Sequence, residues 1–155
     1  MRSQLLREFV RNALHELALD LDVLCAFDFD NTLVTTDATK FEEFLKPLKN
    51  PQPLPTLKVL KSRLAAGHQC IVLTARPRMG LDPVREFFET MGIEGVELVG
   101  VGSTAAKYKS QYLADRLSKG TYARLEFYDD LPKNVAAVQS LQADFPEIEV
   151  VSTLV

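Results

Sequence analysis

Asp28 and Asp30 stand one residue apart in the stretch Val23-Leu24-Cys25-Ala26-Phe27-Asp28-Phe29-Asp30-Asn31-Thr32-Leu33, where an apolar run ends abruptly in two carboxylates. Paired aspartates of this kind suit three tasks: attack on an electrophile, movement of a proton, and ligation of a hard cation. Three more polar groups follow apolar runs further along the chain. They are Thr74-Ala75-Arg76 after Ile71-Val72-Leu73, the Ser103-to-Lys109 region with Lys107 and Lys109, and Asp129-Asp130 after Leu125-Glu126-Phe127-Tyr128. A hydroxyl and a lysine hold an anion, and carboxylates hold a cation. Together they suit chemistry on a phosphate group.

These groups need a scaffold that brings four distant segments to one place. Val23 to Phe27 reads as a strand buried on both faces, as in a parallel sheet. Gln69–Leu73, Val96–Val101, Arg124–Tyr128 and Ile148–Val151 read as four more strands. Helices are predicted between them: a short one over Thr39–Leu45, one from Thr56 to about Ala66 ended by Gly67, and one capped by Asp82 with Pro83 at its first position and ending near Met91-Gly92. Two more run from Ser103 or Thr104 to about Leu117, and from Lys133 to Ala143. Pro47, Pro51, Pro53 and Pro55 break regular structure before Thr56. Strand–helix alternation predicts an α/β fold, a doubly wound parallel sheet of about five strands with helices on both faces. Ligands in such sheets bind outside the carboxyl ends of the strands, where all four polar groups fall.

Residues 3 to 20 predict a further, amphipathic helix, with Leu5, Leu6, Phe9, Val10, Ala13, Leu14, Leu17 and Ala18 at helical spacing and Ser3 as a candidate cap. Packing on the sheet or closing its edge is the expectation for it; a dimer or partner surface is the alternative. The 155 residues make one domain, 1–155, with the helix as residues 1–21 and the core as 22–155. A net charge of −3 excludes a general nucleic-acid binder, though not a nucleic-acid end as substrate. Arg2, Arg7 and Glu8 leave no apolar signal segment in the first ten residues, and no apolar run approaches the roughly 20 residues of a membrane helix. Cys25 and Cys70 fall inside predicted strands and are expected as free buried thiols, which fits a cytoplasmic location. His15 and His68 lie outside the constellation.

The order and spacing of the four groups resemble the haloacid dehalogenase-like (HAD) phosphohydrolases over about residues 22 to 152, with Asn31 where that family usually has glycine. The resemblance implies a Rossmann-like core and a Mg²⁺-dependent phosphomonoester hydrolase. Asp28 would be the nucleophile that becomes an aspartyl-phosphate, and Asp30 would protonate the leaving oxygen and then activate water. Thr74 would hydrogen-bond the phosphoryl group. A single lysine completes the family's set. Helical phase favours Lys109, which shares a face with Tyr112, Leu113 and Arg116, over Lys107. Asp28, the backbone carbonyl of Asp30, and one or both of Asp129 and Asp130 would hold Mg²⁺. Asn31, Thr32, Ala75, Arg76 and Lys107 are the remaining candidates for substrate binding, with Arg76 either holding substrate or pairing with an acid.

No large cap domain is expected, because Asp37–Thr56 holds at most one short helix and Arg76–Val96 an ordinary crossover helix. The resemblance is to minimal-cap members, and loosely to those associated with nucleic-acid end repair. An open site suits bulky phosphorylated substrates such as polynucleotide ends or phosphoproteins. A phosphatase for small metabolites or nucleotides, with the proline loop as lid, is one alternative. A catalytically weak module binding a protein partner is the other. A homo-oligomer is compatible with all three.

Overall fold

Strand β1 (Val23–Phe27) is buried at all five positions and forms the middle of the sheet, the place an uninterrupted apolar run requires. In this computed structural model, residues 2–37 and 40–155 are described, without the side chains of Arg2 and residues 14–21. β1 pairs in parallel with β2 (Gln69–Thr74) on one side and β4 (Arg124–Asp129) on the other. β3 (Val96–Gly100) joins β2, and β5 (Glu149–Leu154) joins β4, giving an all-parallel sheet of order β3-β2-β1-β4-β5. The chain winds outward from β1 through β2 to β3, then returns to the other side of β1. This is a Rossmann-like doubly wound fold, and its switch point lies between β1 and β4.

Helices cover both faces. Val23, Cys25 and Phe27 face a core shared with α3 (Thr56–Ala65) and α4 (Asp82–Met91). Leu24 and Ala26, alternating with them, face a second core shared with α5 (Ala106–Lys119), α6 (Pro132–Gln139) and α7 (Leu141–Asp144). Each core takes several fully buried side chains, each contributing about 1.5–3 kcal/mol. Glu126, buried on β4, is held by Arg63 at 2.9 Å and Arg124 at 3.1 Å, which is how a charged residue fits an otherwise apolar strand. Cys25 and Cys70 are register partners on β1 and β2 and remain free, as expected.

Several boundaries differ from the sequence reading. The helix expected over Thr39–Leu45 is one turn, α2 (Phe41–Phe44), and Thr39 lies outside the described residues. Asp82 does not cap α4. A 3-10 turn over Arg78–Leu81 runs directly into the helix, so Asp82 is already helical and its carboxylate pairs with Arg85 at 2.7 Å. α5 begins at Ala106, because the Ser103 hydroxyl oxygen accepts the Ala105 N–H in a local turn that stops short of the helix. The helix over Lys133–Ala143 breaks at Ser140 into α6 and α7.

The N-terminal helix, α1 (Arg2–Leu21), differs most. Every side chain from Ser3 to Ala13 is exposed, including Leu6 at 63% and Phe9 at 71%, so this half does not pack on the sheet. The faces it would have covered over β1 and β2 are already filled by α3, α4 and α5. Among the described residues, no helix is long and apolar enough to cross a membrane.

Candidate active site

The Asp28-Phe29-Asp30 triplet works as an anchor with an acid on either side. Phe29 is fully buried and packs on the rings of Phe87 and Phe88 of α4, with centroids 5.7 and 6.1 Å away. Its side chain ties the loop after β1 to the core and leaves the two carboxylates at the sheet's carboxyl end. Asn31 takes a left-handed conformation, φ 58°, which asparagine tolerates better than other residues with a Cβ. That accounts for asparagine where a glycine would also serve. Its side-chain oxygen accepts the Thr36 N–H at 3.1 Å and closes the turn.

Asp28 sits at the centre. Lys109 Nζ donates to its Oδ1 at 2.9 Å, and the Thr32 hydroxyl donates to its Oδ2 at 3.0 Å. Lys109 also donates to Asp129 Oδ2 at 2.7 Å, so one buried ammonium bridges the aspartates that end β1 and β4. Burial pushes the Asp28 carboxyl up to about 8, against the pull of Lys109, and Asp129 adds to the rise. Burial alone would lower Lys109, but the two carboxylates outweigh it and hold the ammonium above its ordinary value. Of the two lysines, the one that helical phase puts on the inner face of α5 is the one brought to the carboxylates. Lys107 is exposed, lies 5.2 Å from the Tyr108 ring and is not brought to the site, because it falls on the outer side of α5.

The two aspartates that end β4 have different surroundings. Asp129 is fully buried, and its oxygens accept Lys109, the Asn134 amide at 3.1 Å and the Leu131 N–H at 2.9 Å. Asp130 lines the cavity, accepts the Thr32 hydroxyl at 3.5 Å and lies against the Asp28 carboxyl. Asp129 therefore orients Lys109, while Asp130 faces the cavity.

A cavity of about 280 Å³ opens over this cluster, lined by Asp28, Asp30, Thr74, Lys109 and Asp130 among others. Asn31 and Ala75 also line it, as the sequence suggested. Thr74 is fully buried and its hydroxyl oxygen accepts the Arg76 N–H at 3.1 Å, so its own hydrogen must point elsewhere. Thr32 and Arg76 both turn to acids of the site, which for Arg76 is the second of the two roles expected of it. The Thr32 hydroxyl donates to Asp28. Arg76 is fully buried and turns away from the cavity to bind both oxygens of Asp30, at 2.9 and 2.7 Å.

Asp28, Asp129 and Asp130 each offer one oxygen within 4.8 Å of the others. Oxygens around a magnesium ion lie at most about 4.2 Å apart, so a small contraction closes this set. Asn134 strengthens the fit. Its amide nitrogen is committed to Asp129, and its carbonyl oxygen is buried in the cavity wall with no partner, one more hard donor beside three carboxylates. Arg76 binds both oxygens of the Asp30 carboxylate, which makes that carboxylate a poorer cation ligand than the other three aspartates. Sequence reasoning missed Asn134, Phe44 and Leu131, all of which line the cavity. Asn134 had a visible signal, a polar residue on the inner side of the helix that follows the acidic pair.

No family model matches the chain, and comparison with curated proteins and with solved structures finds no relative.

Proposed function

We propose that this protein is a Mg²⁺-dependent phosphomonoester hydrolase with Asp28 as nucleophile. The observation that carries the reading is the position of Asp28: a buried carboxylate at the switch point of the sheet, bonded to Lys109 and Thr32 and one of three aspartates able to share a cation. A phosphomonoester is an anion, and a lone carboxylate repels it. Lys109 supplies one positive charge beside the nucleophile, and Mg²⁺ held by the aspartates would supply the remaining neutralisation of phosphate and carboxylate oxygens.

The residues divide the work as follows. An Asp28 oxygen bonds to phosphorus as the bond to the leaving oxygen breaks, and Asp30 passes its proton to that oxygen. Water then attacks the aspartyl-phosphate and gives a proton back to Asp30; phosphate leaves and Asp28 is restored. Splitting one displacement into two lowers each barrier. The Thr74 hydroxyl and the main chain around Ala75 hold the phosphoryl oxygens. Asp129 carries no bond-making role; it holds Lys109 in place. Asp130 and the Asn134 carbonyl would complete the cation's oxygen set.

The described residues carry no large cap over the cavity, which fits bulky phosphorylated substrates such as polynucleotide ends or phosphoproteins. Phe44 reaches the cavity from α2, and this favours the small-metabolite or nucleotide alternative to the extent that the segment closes over the site.

The deciding experiment is phosphate release from a generic aryl phosphate. Release that needs Mg²⁺ and stops with a chelator supports the reading. Inert protein that also fails to bind Mg²⁺ and phosphate analogues favours the partner-binding module instead. A calorimetric companion follows from the raised Asp28. Cation and proton compete for that carboxylate, so Mg²⁺ should raise the Tm more at pH 8.5 than at pH 6. An equal shift at both pH values would place the ion elsewhere.

A further inference from the structure

Arg76 joins three parts of the chain at once. Its Nε and Nη2 donate to the two oxygens of Asp30, and its Nη1 donates to the main-chain oxygens of Phe44 at 3.1 Å and Gly80 at 3.3 Å. The guanidinium lies over the Phe44 ring, 4.9 Å from its centroid, and over the Phe29 ring at 5.6 Å. Its own backbone is closely held. The Arg76 N–H is held by Thr74, its carbonyl accepts the Gly102 N–H, and a Cβ on Gly100 would stand 2.5 Å from that carbonyl.

The segment that Arg76 grips is anchored at its far end by Leu48, which packs against the core, while its helical turn is less enclosed. α2 has no buried residue, and Phe41 and Leu45 are 54% and 44% exposed. Burial therefore contributes little to the seat of Phe44 against the cavity. The guanidinium bond, the ring contact, and the close approach of Gly80, where a Cβ would lie 3.0 Å from Phe44 Cβ, all bear on that seat.

At the other end, Arg76 settles how Asp30 presents itself. Asp30 Oδ1 accepts Arg76 and the Thr36 hydroxyl at 2.7 Å, and Oδ2 accepts Arg76. A carboxylate has about four acceptor positions, so one remains, on Oδ2. We propose that Arg76 is a positioning residue that couples the presentation of Asp30 to the seating of residues 40–48 beside the cavity, so that the proton-carrying group is aligned only while this segment is in place. The catalytic half of this inference rests on the phosphohydrolase reading; the mechanical half does not.

The test compares Arg76→Lys, Asp30→Asn, their double variant and Gly80→Ala. Lysine keeps the charge but lacks the planar fork that reaches four acceptors. Two readouts are taken: kcat and KM for an aryl phosphate with Mg²⁺, and amide hydrogen exchange over residues 40–48. Arg76→Lys is expected to lower kcat about 10- to 100-fold with KM changed less than about threefold, the pattern of lost transition-state positioning. The double variant should be no slower than Asp30→Asn alone, since both act through one carboxylate. Exchange over 40–48 should quicken in Arg76→Lys and not in Asp30→Asn.

Gly80→Ala presses on Phe44 without removing the guanidinium, and it keeps the test decisive if Arg76→Lys does not fold. Faster exchange accompanied by a lower kcat supports the coupling. Faster exchange with unchanged kcat overturns it, as do additive kcat losses or unchanged exchange in Arg76→Lys. An inert wild type overturns the phosphohydrolase reading and the catalytic half with it, and the exchange comparison then decides the mechanical half by itself.

Discussion

Asp28→Asn should reduce phosphate release by at least about 10³-fold while leaving the protein folded, because the change removes the nucleophile and keeps the shape of the side chain. The carboxamide has the shape of the carboxylate, still offers an oxygen to the Lys109 ammonium or the Thr32 hydroxyl, and needs no solvation of a charge. The stability of the metal-free variant carries a second signature. In the wild type, burial raises the Asp28 carboxyl from an ordinary value of 3.8 to about 8. The folded protein therefore binds this proton more tightly than the unfolded chain does. The contribution to stability is whole below about 3.8 and is lost as pH rises through about 8. Asp28→Asn should remove that pH dependence. Denaturant unfolding without metal, at several pH values from 4 to 9, measures it directly. A variant that keeps phosphatase activity would discard Asp28 as nucleophile, and one with the wild-type pH profile would discard the burial argument.

Lys109→Met should cost roughly 3–5 kcal/mol of stability, because it strands two buried carboxylates that now share one ammonium. Methionine keeps much of the side chain's volume, so the loss measures charge rather than a cavity. For a chain of this size about 1 kcal/mol corresponds to 2–4 °C, so the Tm should fall on the order of 10 °C. Asp28 loses its strongest attraction and will be protonated to a higher pH, so activity should fall as well. Saturating Mg²⁺ should recover part of the Tm, since a cation on the same carboxylates replaces the missing positive charge. A loss below about 1 kcal/mol would show that the bridge between Asp28 and Asp129 carries little energy. By contrast, Lys107→Met should change neither quantity, because that side chain is exposed and outside the cavity.

These two experiments probe a centre whose parts differ in how far they could be read from the chain. Asp28, Asp30, Thr74 and the acidic pair at 129 and 130 were legible because each follows an apolar run, and strand ends in a parallel sheet converge. Lys109 was legible by helical phase, since the side of α5 that carries Leu113 and Leu117 must face the sheet. The seating of α1 was not legible. Amphipathic spacing says that a helix has an apolar side, not that the sheet has room for it, and the exposed Leu5, Leu6 and Phe9 show the difference.

The sequence by itself determined the architecture and the chemical inventory of the site: strand–helix alternation, a parallel sheet, and carboxylates, a hydroxyl and a lysine at the strand ends. These follow from local periodicity and from where each apolar run stops. Only the tertiary structure decided the pairings. Asp129 rather than Asp130 holds Lys109, Arg76 holds Asp30 across 46 residues of chain, and Lys109 reaches Asp28 across 81. Asn134 and Phe44 come to the cavity in the same way. A side chain's partner depends on its rotamer and on which distant segment packs beside it, and neither is encoded in the spacing of neighbouring residues. The physical cause is desolvation. Once closed within the fold, each charged group must take the partner that the packing places within reach, and burial makes that choice costly to reverse.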